Sequence, residues 1–213
     1  MLSPCESVAD IGCDHAYLAI HLIENKLAKK VYACDINKGP LKTAQKNINL
    51  SGYADKIETI LTDGLNEVDK KEPDAVIICG MGGDLIAKII SNSNYTKERS
   101  PQLLLQPMTK ARKLREYLLT NGYEITDEAT VYDGRIYQII KARYNINAVC
   151  EYNKAELLIG KQNNGGDEFY IPLAIQQRSS LLKALEGVKK SGGASPEKEE
   201  QIKELEKIIE EIQ

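Results

Sequence analysis

The sequence predicts an α/β protein that has a mostly parallel sheet, an antiparallel hairpin at the end of that sheet and a C-terminal helical domain. Short apolar runs alternate with helical stretches from residue 8 to about residue 120, which is the rhythm of βαβ units. The near-continuous apolar runs 75–79 and 103–105 are typical of strands buried on both faces. Two strand-like runs then follow with only Asp133-Gly134 between them, which predicts a two-residue hairpin turn.

The elements of the sheet domain follow one another in regular order. Strands are expected where apolar and β-branched residues cluster between turn residues, at 8–11, 30–34, 56–61, 74–79, 102–106, 123–132 and 135–144. Helices are expected in the stretches between them, near 16–27, 38–51, 84–91 and 109–121. This order predicts a first domain at 1–147 and a second at 148–213.

The second domain is expected to be two helices packed as an antiparallel coiled coil. Side chains recur there at alternating spacings of three and four residues, the period of a helix that buries one face. The positions are Ile171, Ile175, Arg178, Leu182 and Leu185, then Ile202, Leu205, Ile209 and Ile212. Ser195 and Pro196 suit the N-cap and first position of the second helix, and 163–166 are expected to form an exposed turn.

Composition narrows the class of protein. The 213 residues carry a formal net charge of −3, so nucleic acid could bind only through a local basic patch. The five cysteines include no C-x-x-C pair, which indicates neither a disulfide framework nor a zinc site. No window approaches a membrane span. We therefore expect a cytoplasmic protein without membrane or metal partners, and a monomer, although a helical hairpin can also close across two chains.

The turn after the first strand carries the most informative residues. Such turns bind nucleotide-type cofactors, because helix N–H groups and a close backbone approach are available there. The strand ends at Gly12, but the later glycines of a dinucleotide fingerprint are replaced by Asp14 and Tyr17. A carboxylate would repel a diphosphate and would accept a phosphate-free cofactor with a positive centre. S-adenosylmethionine, with its sulfonium, is such a cofactor.

Acidic residues end three strands at the same edge of the predicted sheet. Asp10 ends the first strand, beside Gly12, and Asp35 closes the second, where it can accept hydrogen bonds from ribose hydroxyls. Asp63 follows the third, where it can accept a hydrogen bond from an adenine amino group while Gly64 turns the chain. The alternatives are a solvated strand end or N-cap for Asp35 and an ordinary Asp-Gly turn for Asp63.

Further residues complete the expected cofactor pocket. Ile36 is expected to line it beside the second strand end. The fourth strand ends in Cys79-Gly-Met-Gly-Gly83, where Gly80 leaves room for a planar group and Met81 can pack on a ring. A strand-to-helix turn without a ligand is the alternative. Gln106, at the end of the fifth strand, offers an amide donor and acceptor to the same crevice.

Asp14 and His15 are the candidates for chemistry. A ring nitrogen of adenine already carries its lone pair, so methylating it needs no strong base but creates positive charge on the purine. A carboxylate at Asp14 can stabilise that charge or accept a proton from the exocyclic amine, and helix capping is the alternative. His15 is expected to hold the cofactor carboxylate or to cap the helix.

Basic and aromatic residues near the crevice are candidates for contact with nucleic acid. The helix after Pro107 carries Lys110, Arg112, Lys113 and Arg115. These side chains can contact phosphates, although a solvated basic helix face is the more ordinary interpretation. Tyr17 can stack on a base or belong to the core.

Four motifs carry a family resemblance over nearly the whole chain. They are Asp10-Ile-Gly-Cys-Asp-His-Ala-Tyr-Leu18, Cys79-Gly-Met-Gly-Gly83, Leu105-Gln-Pro107 and Asp133-Gly-Arg-Ile-Tyr137. With these motifs the sequence resembles the bacterial tRNA (adenine-22-N1)-methyltransferase family. Ordinary class I methyltransferases carry a glycine-rich first motif instead.

The resemblance implies a Rossmann-like class I methyltransferase sheet with an antiparallel last strand. It also implies S-adenosylmethionine as donor and N1 of a tRNA adenine as acceptor. The family's essential aspartate falls on Asp14, and its cofactor residues fall on Gly12, His15, Asp35, Asp63, Gly64, Gly80 and Met81. The C-terminal coiled coil would help to seat tRNA through basic residues such as Lys183, Lys189 and Lys190.

The sequence also departs from the family pattern. Only seven residues precede the first strand, where the family normally has a helical segment, and this suggests a truncated chain or a shortened gene product. The acid of the second motif, often Glu, is Asp35. A second class of function is therefore a non-catalytic RNA-binding or scaffold protein on a methyltransferase fold. A nucleotide-dependent oxidoreductase is disfavoured because the phosphate-binding glycines are absent.

Overall fold

The computed structural model describes residues 1–161 and 167–212, the side chains of 211 and 212 excepted. The strands are β1 (Cys5–Ile11), β2 (Ala28–Asp35), β3 (Ile57–Leu61), β4 (Ala75–Gly82), β5 (Gln102–Thr109), β6 (Tyr123–Tyr132) and β7 (Ile136–Tyr144). The helices are α1 (Tyr17–Glu24), α2 (Lys38–Ser51), α3 (Gly83–Ser91), α4 (Tyr95–Glu98), α5 (Ala111–Thr120), α6 (Lys154–Ile159), α7 (Tyr170–Lys190) and α8 (Pro196–Ile212). Within the described ranges, no helix is both long and apolar enough to cross a membrane.

The strands form one sheet in the order β3-β2-β1-β4-β5-β7-β6. Pairing is parallel from β3 to β5, and β7 is antiparallel to both β5 and β6. The predicted fold class, with its antiparallel last strand, is confirmed. The chain leaves β1 toward β2 and β3 and later returns to β4 on the other side of β1. The strand order therefore reverses between β1 and β4, and a crevice opens there at the carboxyl ends of the strands.

Helices cover both faces of this sheet because successive strand residues point to opposite sides. On one face, Val8 and Ile77 pack among the buried residues of α1 and α2. On the other face, Ala9 and Ile78 pack among the buried residues of α3 and α5. The two layers hold the strand ends in fixed register and so position the crevice.

The connection between β6 and β7 is one residue longer than the sequence predicts. Tyr132 pairs with Ile136, so residues 133–135 all lie in the turn, and the backbone N–H of Asp133 donates to the carbonyl of Arg135 at 3.0 Å. Gly134 has a φ of 68°, the left-handed conformation that such a turn requires. Arg135, expected as the first strand residue, is therefore an exposed turn residue.

The C-terminal helices pack together as predicted, but the packed surface of α7 follows the predicted positions only in part. Ile171 packs against the core of these helices, and Arg178 pairs with Glu206 of α8 at 2.8 Å. Helix α8 begins at Pro196, as expected, and Leu185, Ile202 and Leu205 are buried. Ile175 and Leu182 are instead 43% and 37% exposed.

The buried face of α7 carries Leu173 and Ala174, which lie in one cluster with Ala155 and Ile159 of α6. Helix α7 packs against α6 as well as α8, and this third element selects the buried face. The turn expected at 163–166 lies outside the described residues, as does the side chain of Ile212.

Candidate functional site

A cavity of about 250 Å³ lies at the carboxyl ends of β1, β2, β3 and β4. Six of the predicted cofactor residues line it: Gly12, Asp35, Ile36, Asp63, Gly64 and Met81. Sequence reasoning missed the other lining residues, which are Ile11, Asn37, Thr62, Leu85 and Ile89. The predicted residues Asp10, Asp14, His15 and Gly80 lie outside its lining.

Gly12 brings the backbone close to the side chain of Met81. Its φ is +79°, and a Cβ at this position would lie only 2.3 Å from Cε of Met81. Both residues line the cavity, so the absence of a side chain at Gly12 allows Met81 to form part of the cavity wall.

Gly12→Ala is expected to lower the free energy of unfolding by about 1–2 kcal/mol, because an L-residue is strained in the left-handed region. The added methyl group would also push Met81 into the cavity, so the affinity for S-adenosylmethionine should fall. Urea unfolding and calorimetric titration measure the two effects. Gly39→Ala is the control, since no described atom lies within 4 Å of a Cβ there. Equal stability and affinity in the two variants would contradict the prediction.

Asp35 ends β2 at the mouth of the cavity. Its Oδ1 accepts a hydrogen bond from the backbone N–H of Asn37 at 2.8 Å. This bond orients the carboxylate, and the N-cap of α2 is Asn37 rather than Asp35. The N-cap alternative for Asp35 is therefore wrong. A fixed carboxylate at a strand end is well placed to accept hydrogen bonds from a diol.

Thr62 supplies a buried polar group at the cavity. Its backbone N–H donates to the carbonyl of Asp35 at 3.0 Å, which ties β3 to β2 at the cavity. Its side-chain hydroxyl is buried and has no hydrogen-bond partner among the residues that the structure describes. Such an orphaned group costs free energy unless a ligand satisfies it. The hydroxyl of Thr62 and the exposed carboxylate of Asp63 together fit the edge of a polar heterocycle.

Apolar side chains flank these polar groups. Ile36 and Leu85 are 60% and 48% exposed at the cavity, although both are large and hydrophobic. Exposed apolar side chains around a few fixed polar groups are typical of small-molecule sites. The lining therefore fits a ligand that has a ribose and a planar base but no phosphate.

Asp10 is buried behind this site. Its side chain is 3% exposed, and Oδ2 has no hydrogen-bond partner in the described part of the chain. Burial raises the pKa of Asp10 to about 7. Burial also raises the pKa of the Cys13 and Cys79 thiols to about 12, with the Asp10 carboxylate as a second cause. These cysteines are therefore protonated at neutral pH.

The buried Asp10 should make the stability of the ligand-free protein fall as pH rises. Its pKa is higher in the folded than in the unfolded chain, so its stabilising contribution is complete below about pH 4 and is lost as pH rises through about 7. Asp10→Asn should remove this loss of stability. At pH 8 the free energy of unfolding of the variant should exceed that of wild type by at least about 2 kcal/mol. Urea unfolding at pH 4, 6 and 8 measures it, with the exposed Asp55→Asn as control. A constant difference between Asp10→Asn and wild type across this range would refute the prediction.

The loop that holds Asp14 and His15 has an unusual backbone. Asp14 and Ala16 have φ values of 48° and 60°, a region that non-glycine residues adopt rarely and often at functional sites. The N-cap of α1 is Ala16, and no described side chain caps that helix. The capping alternatives for Asp14 and His15 are therefore wrong.

The side chains of Asp14 and His15 lie beside each other at the crevice edge. Oδ2 of Asp14 is 3.7 Å from Nε2 of His15, and the two side chains are 68% and 42% exposed. Nδ1 of His15 is buried without a hydrogen-bond partner in the described residues. Tyr17 is 68% exposed with its ring 5.8 Å from that of His15, so the core alternative for Tyr17 is wrong. The loop therefore presents a carboxylate, an imidazole and a ring in one place.

The end of β4 is open. Gly80 has a φ of +78°, and no described atom lies within 4 Å of a Cβ built there. Its backbone N–H donates to Oε1 of Gln106, at the neighbouring strand end, at 2.9 Å. This leaves room for an acceptor group beside the cofactor cavity.

Most basic residues at the start of α5 and within it form ion pairs. Arg115 is 1% exposed and pairs with Glu128, so the expectation that Arg115 contacts phosphates is wrong. Lys110 pairs with Asp84, and Arg112 pairs with Glu116 and Glu197.

No group of three or more His, Cys, Asp or Glu residues within the described ranges is placed to hold a metal ion.

Comparisons with known proteins place this geometry in a family. The Methyltransferase domain family matches residues 1–140. The tRNA (adenine(22)-N(1))-methyltransferase of Bacillus subtilis is 37% identical over 136 residues, which are 63% of this chain and 57% of that protein. The structure of M. capricolum TrmK in complex with S-adenosyl-homocysteine has a TM-score of 0.79 and 31% identity, covering 100% of this chain and 95% of that one. A Streptococcus agalactiae protein of the NADB-Rossmann superfamily has a TM-score of 0.83 and 27% identity, covering 97% and 92%.

The sheet order, the antiparallel strand and the cavity at the carboxyl ends of the strands define a class I methyltransferase fold. The domain match and the similarity to M. capricolum TrmK, which this chain covers over 95% of its length, show the family within this class. The chain belongs to the tRNA (adenine(22)-N(1))-methyltransferase family. It spans 57% and 60% of the length of the curated relatives from Bacillus subtilis and Mycoplasma genitalium.

Proposed function

We propose that this chain is a cytoplasmic S-adenosylmethionine-dependent methyltransferase that methylates N1 of adenine 22 in tRNA. The observation that carries the proposal is the cavity in which Gly12, Asp35 and Asp63, from the ends of three strands, surround one space. The family membership supports the acceptor, because the Bacillus subtilis relative is a tRNA (adenine(22)-N(1))-methyltransferase.

The lining residues fit the cofactor. When bound, S-adenosylmethionine supplies an electrophilic methyl group on its sulfonium. We assign Asp35 to the ribose hydroxyls, and Asp63 with the hydroxyl of Thr62 to the adenine edge. Ile36 packs on the adenine face. The assignment satisfies the one side-chain hydroxyl of the described cavity lining that has no partner.

The remaining predicted residues hold the other end of the cofactor and the acceptor. Gly12 and Gly64 let the backbone approach the cofactor, and Met81 packs against it. His15, whose Nδ1 lacks a partner in the described chain, holds the cofactor carboxylate. Gly80 leaves space for the target base, and Asp10 supports the first strand end from behind the cavity.

Asp14 is the proposed catalytic residue. Adenine N1 lies on the pairing edge of the base, so the target nucleotide must leave its stack to reach the crevice. The exposed Asp14 carboxylate would then be covered by the base and would stabilise the positive charge that develops on it. Catalysis consists mainly of positioning plus this charge stabilisation.

The test is methyl transfer from labelled S-adenosylmethionine to unmodified tRNA transcripts, with the modified base identified by mass spectrometry. We expect N1-methyladenosine at position 22 and no label in a transcript that carries guanine there. Asp35→Ala is the matched negative control, because it should lose cofactor binding. Cofactor-independent tRNA binding without any transfer would support the non-catalytic RNA-binding alternative instead.

We also propose two domains, 1–147 and 148–213, in a monomer. Helices α7 and α8 pack on each other within one chain, and this pairing supports the closure of the hairpin without a second copy. Size-exclusion chromatography with light scattering should give a mass near 23.7 kDa. A mass near twice that value would refute the monomer.

A further inference from the structure

A second cavity, of about 360 Å³, lies beside the proposed cofactor site. We call it the hairpin cleft, because it lies between the β6–β7 connection, the end of β5 and helices α6 and α7. Its walls include Pro107, Thr109, Arg135, Tyr137, Leu173 and Gln177. We propose that the hairpin cleft binds a nucleotide of tRNA that neighbours the target adenine, with its phosphate at Arg135 and its base against Tyr137. The proposal rests on the proposed function.

The register of β4 and β5 makes the two cavities neighbours. Met81 lines the cofactor cavity and pairs with Pro107, and Gly82 pairs with Thr109. Pro107 and Thr109 line the hairpin cleft. Paired strands lie about 4.8 Å apart, so one layer of backbone separates the two spaces. A single RNA chain can therefore present one base to the open end of β4 and an adjoining nucleotide to the hairpin cleft.

Among the described residues, Arg135 is the cation of this cleft that has no acidic partner. The other two cationic residues of the lining, Lys110 and Arg112, are paired with acidic side chains. No carboxylate of the described residues pairs with Arg135. Its guanidinium lies 4.8 Å from the centre of the Tyr137 ring, and Nη2 is 3.2 Å from Sδ of Met108. Because a ring and a thioether are uncharged, the guanidinium that they hold can still bind an anion. The planar guanidinium matches the geometry of a phosphate.

The surface beside Arg135 fits a nucleobase. Tyr137, a half-buried residue of β7, lines the cleft, and apolar Leu158 and Leu173 line it as well. Proteins bind unstacked bases of RNA on aromatic rings and guanidinium planes. The amide of Gln177 and the amide nitrogen of Gln138, whose Oε1 already accepts from Arg115 at 2.7 Å, provide hydrogen-bonding groups at the edge. Positive charge, a ring and amides in one cleft match the parts of a nucleotide.

The charge balance of the chain makes such a local site necessary. With a net charge of −3, the protein has no general attraction for a polyanion. Arg135 and Tyr137 belong to the Asp133–Tyr137 motif, which has no part in the cofactor site. The hairpin cleft gives this motif a function in holding the substrate.

The test compares tRNA binding and methylation by Arg135→Ala and Tyr137→Leu with wild type. Loss of a base stack and a phosphate contact should raise KM for tRNA and Kd by about tenfold each, with little change in the cofactor Kd. Arg135→Ala should also reduce the slope of log Kd against log salt concentration by about one. Tyr137→Phe should bind like wild type, because it keeps the ring. Arg143→Ala, on the same strand but paired with Glu124, is the matched control.

Wild-type KM, Kd and salt dependence in Arg135→Ala and Tyr137→Leu would overturn the inference and leave the proposed function standing. If the wild-type protein transfers no methyl group but these two variants still bind tRNA more weakly than it does, the inference about the cleft would be supported and the proposed function refuted. As a measurement that needs no variant, wild-type protein can be cross-linked to tRNA transcripts carrying 4-thiouridine beside position 22. We expect cross-linked peptides from residues 135–138, and cross-links confined to other regions would also overturn the inference.

Discussion

Asp14→Ala is expected to lower kcat for tRNA methylation by at least about a hundredfold, while the Kd for S-adenosylmethionine stays close to that of wild type. The reason is electrostatic. Removing a single group aimed at developing charge typically costs a factor of about 10²–10³ in kcat. Asp14 does not line the cofactor cavity, so its loss should affect turnover far more than cofactor binding.

The backbone at this position calls for a second substitution. Asp14 has a φ of 48°, and alanine tolerates the left-handed region less well than aspartate or asparagine. Asp14→Asn keeps the shape and the backbone preference but removes the charge, so it isolates the electrostatic contribution. We expect it to be nearly as inactive as Asp14→Ala and as stable as wild type.

Single-turnover kinetics with saturating cofactor and tRNA measure this prediction directly. Asp63→Asn is an informative comparison, because that aspartate lines the cofactor cavity and should raise the cofactor Kd rather than lower kcat alone. Near-normal turnover in Asp14→Asn would remove Asp14 from the mechanism. Full activity in Asp14→Asn together with inactive Asp14→Ala would assign the effect to the backbone.

Arg115→Met is expected to destabilise the protein by about 3–5 kcal/mol, because it leaves a buried carboxylate without its counter-ion. Arg115 and Glu128 are almost completely buried, and Nε of Arg115 donates to Oε1 of Glu128 at 2.7 Å. The same guanidinium donates to Oε1 of Gln138 at 2.7 Å and to the carbonyl of Leu157 at 3.1 Å. One side chain thus joins α5, β6, β7 and α6.

Glu128 is held equally firmly from the other side. Its Oε2 accepts hydrogen bonds from the hydroxyl of Tyr152 at 2.9 Å and from the backbone N–H of Lys161 at 2.7 Å. Loss of Arg115 therefore leaves the Glu128 carboxylate buried without a counter-ion, and it cannot reach water without breaking these bonds. The helices after residue 153 should loosen along with the global loss of stability.

A double variant separates the loss of the ion pair from the loss of packing. Arg115→Met with Glu128→Leu removes both charges, and it should recover a large part of the lost stability. Urea unfolding measures the free energies, and limited proteolysis reports whether α6 to α8 become accessible. Arg143→Met removes the exposed partner of the half-buried Glu124 and should change stability by less than about 1 kcal/mol. A similarly small effect of Arg115→Met would contradict the prediction.

The sheet and the cofactor edge could be predicted from the sequence because both depend on local signals. The βαβ rhythm is a matter of periodicity, and parallel strands bring their carboxyl ends to one edge. Gly12, Asp35 and Asp63 could therefore be expected at one place before any contact was known, and they line one cavity. The start of α8 at Pro196 follows in the same way from the chemistry of a helix N-terminus.

Other features depend on which surfaces meet across long distances in the chain, and sequence patterns do not record this. Arg115 resembles an ordinary basic helix residue, and only the approach of β6 and α6 makes it a buried ion-pair partner. Packing and strand register likewise decide that the Thr62 hydroxyl has no partner among the described residues and that Arg135 lies in the turn before β7. The sequence by itself determined the fold class and the edge that carries the cofactor site, since these follow from periodicity and strand direction. Only the tertiary structure decided which charges are buried, which face of α7 packs and where the hairpin cleft opens, because each of these is a property of two or more elements in contact.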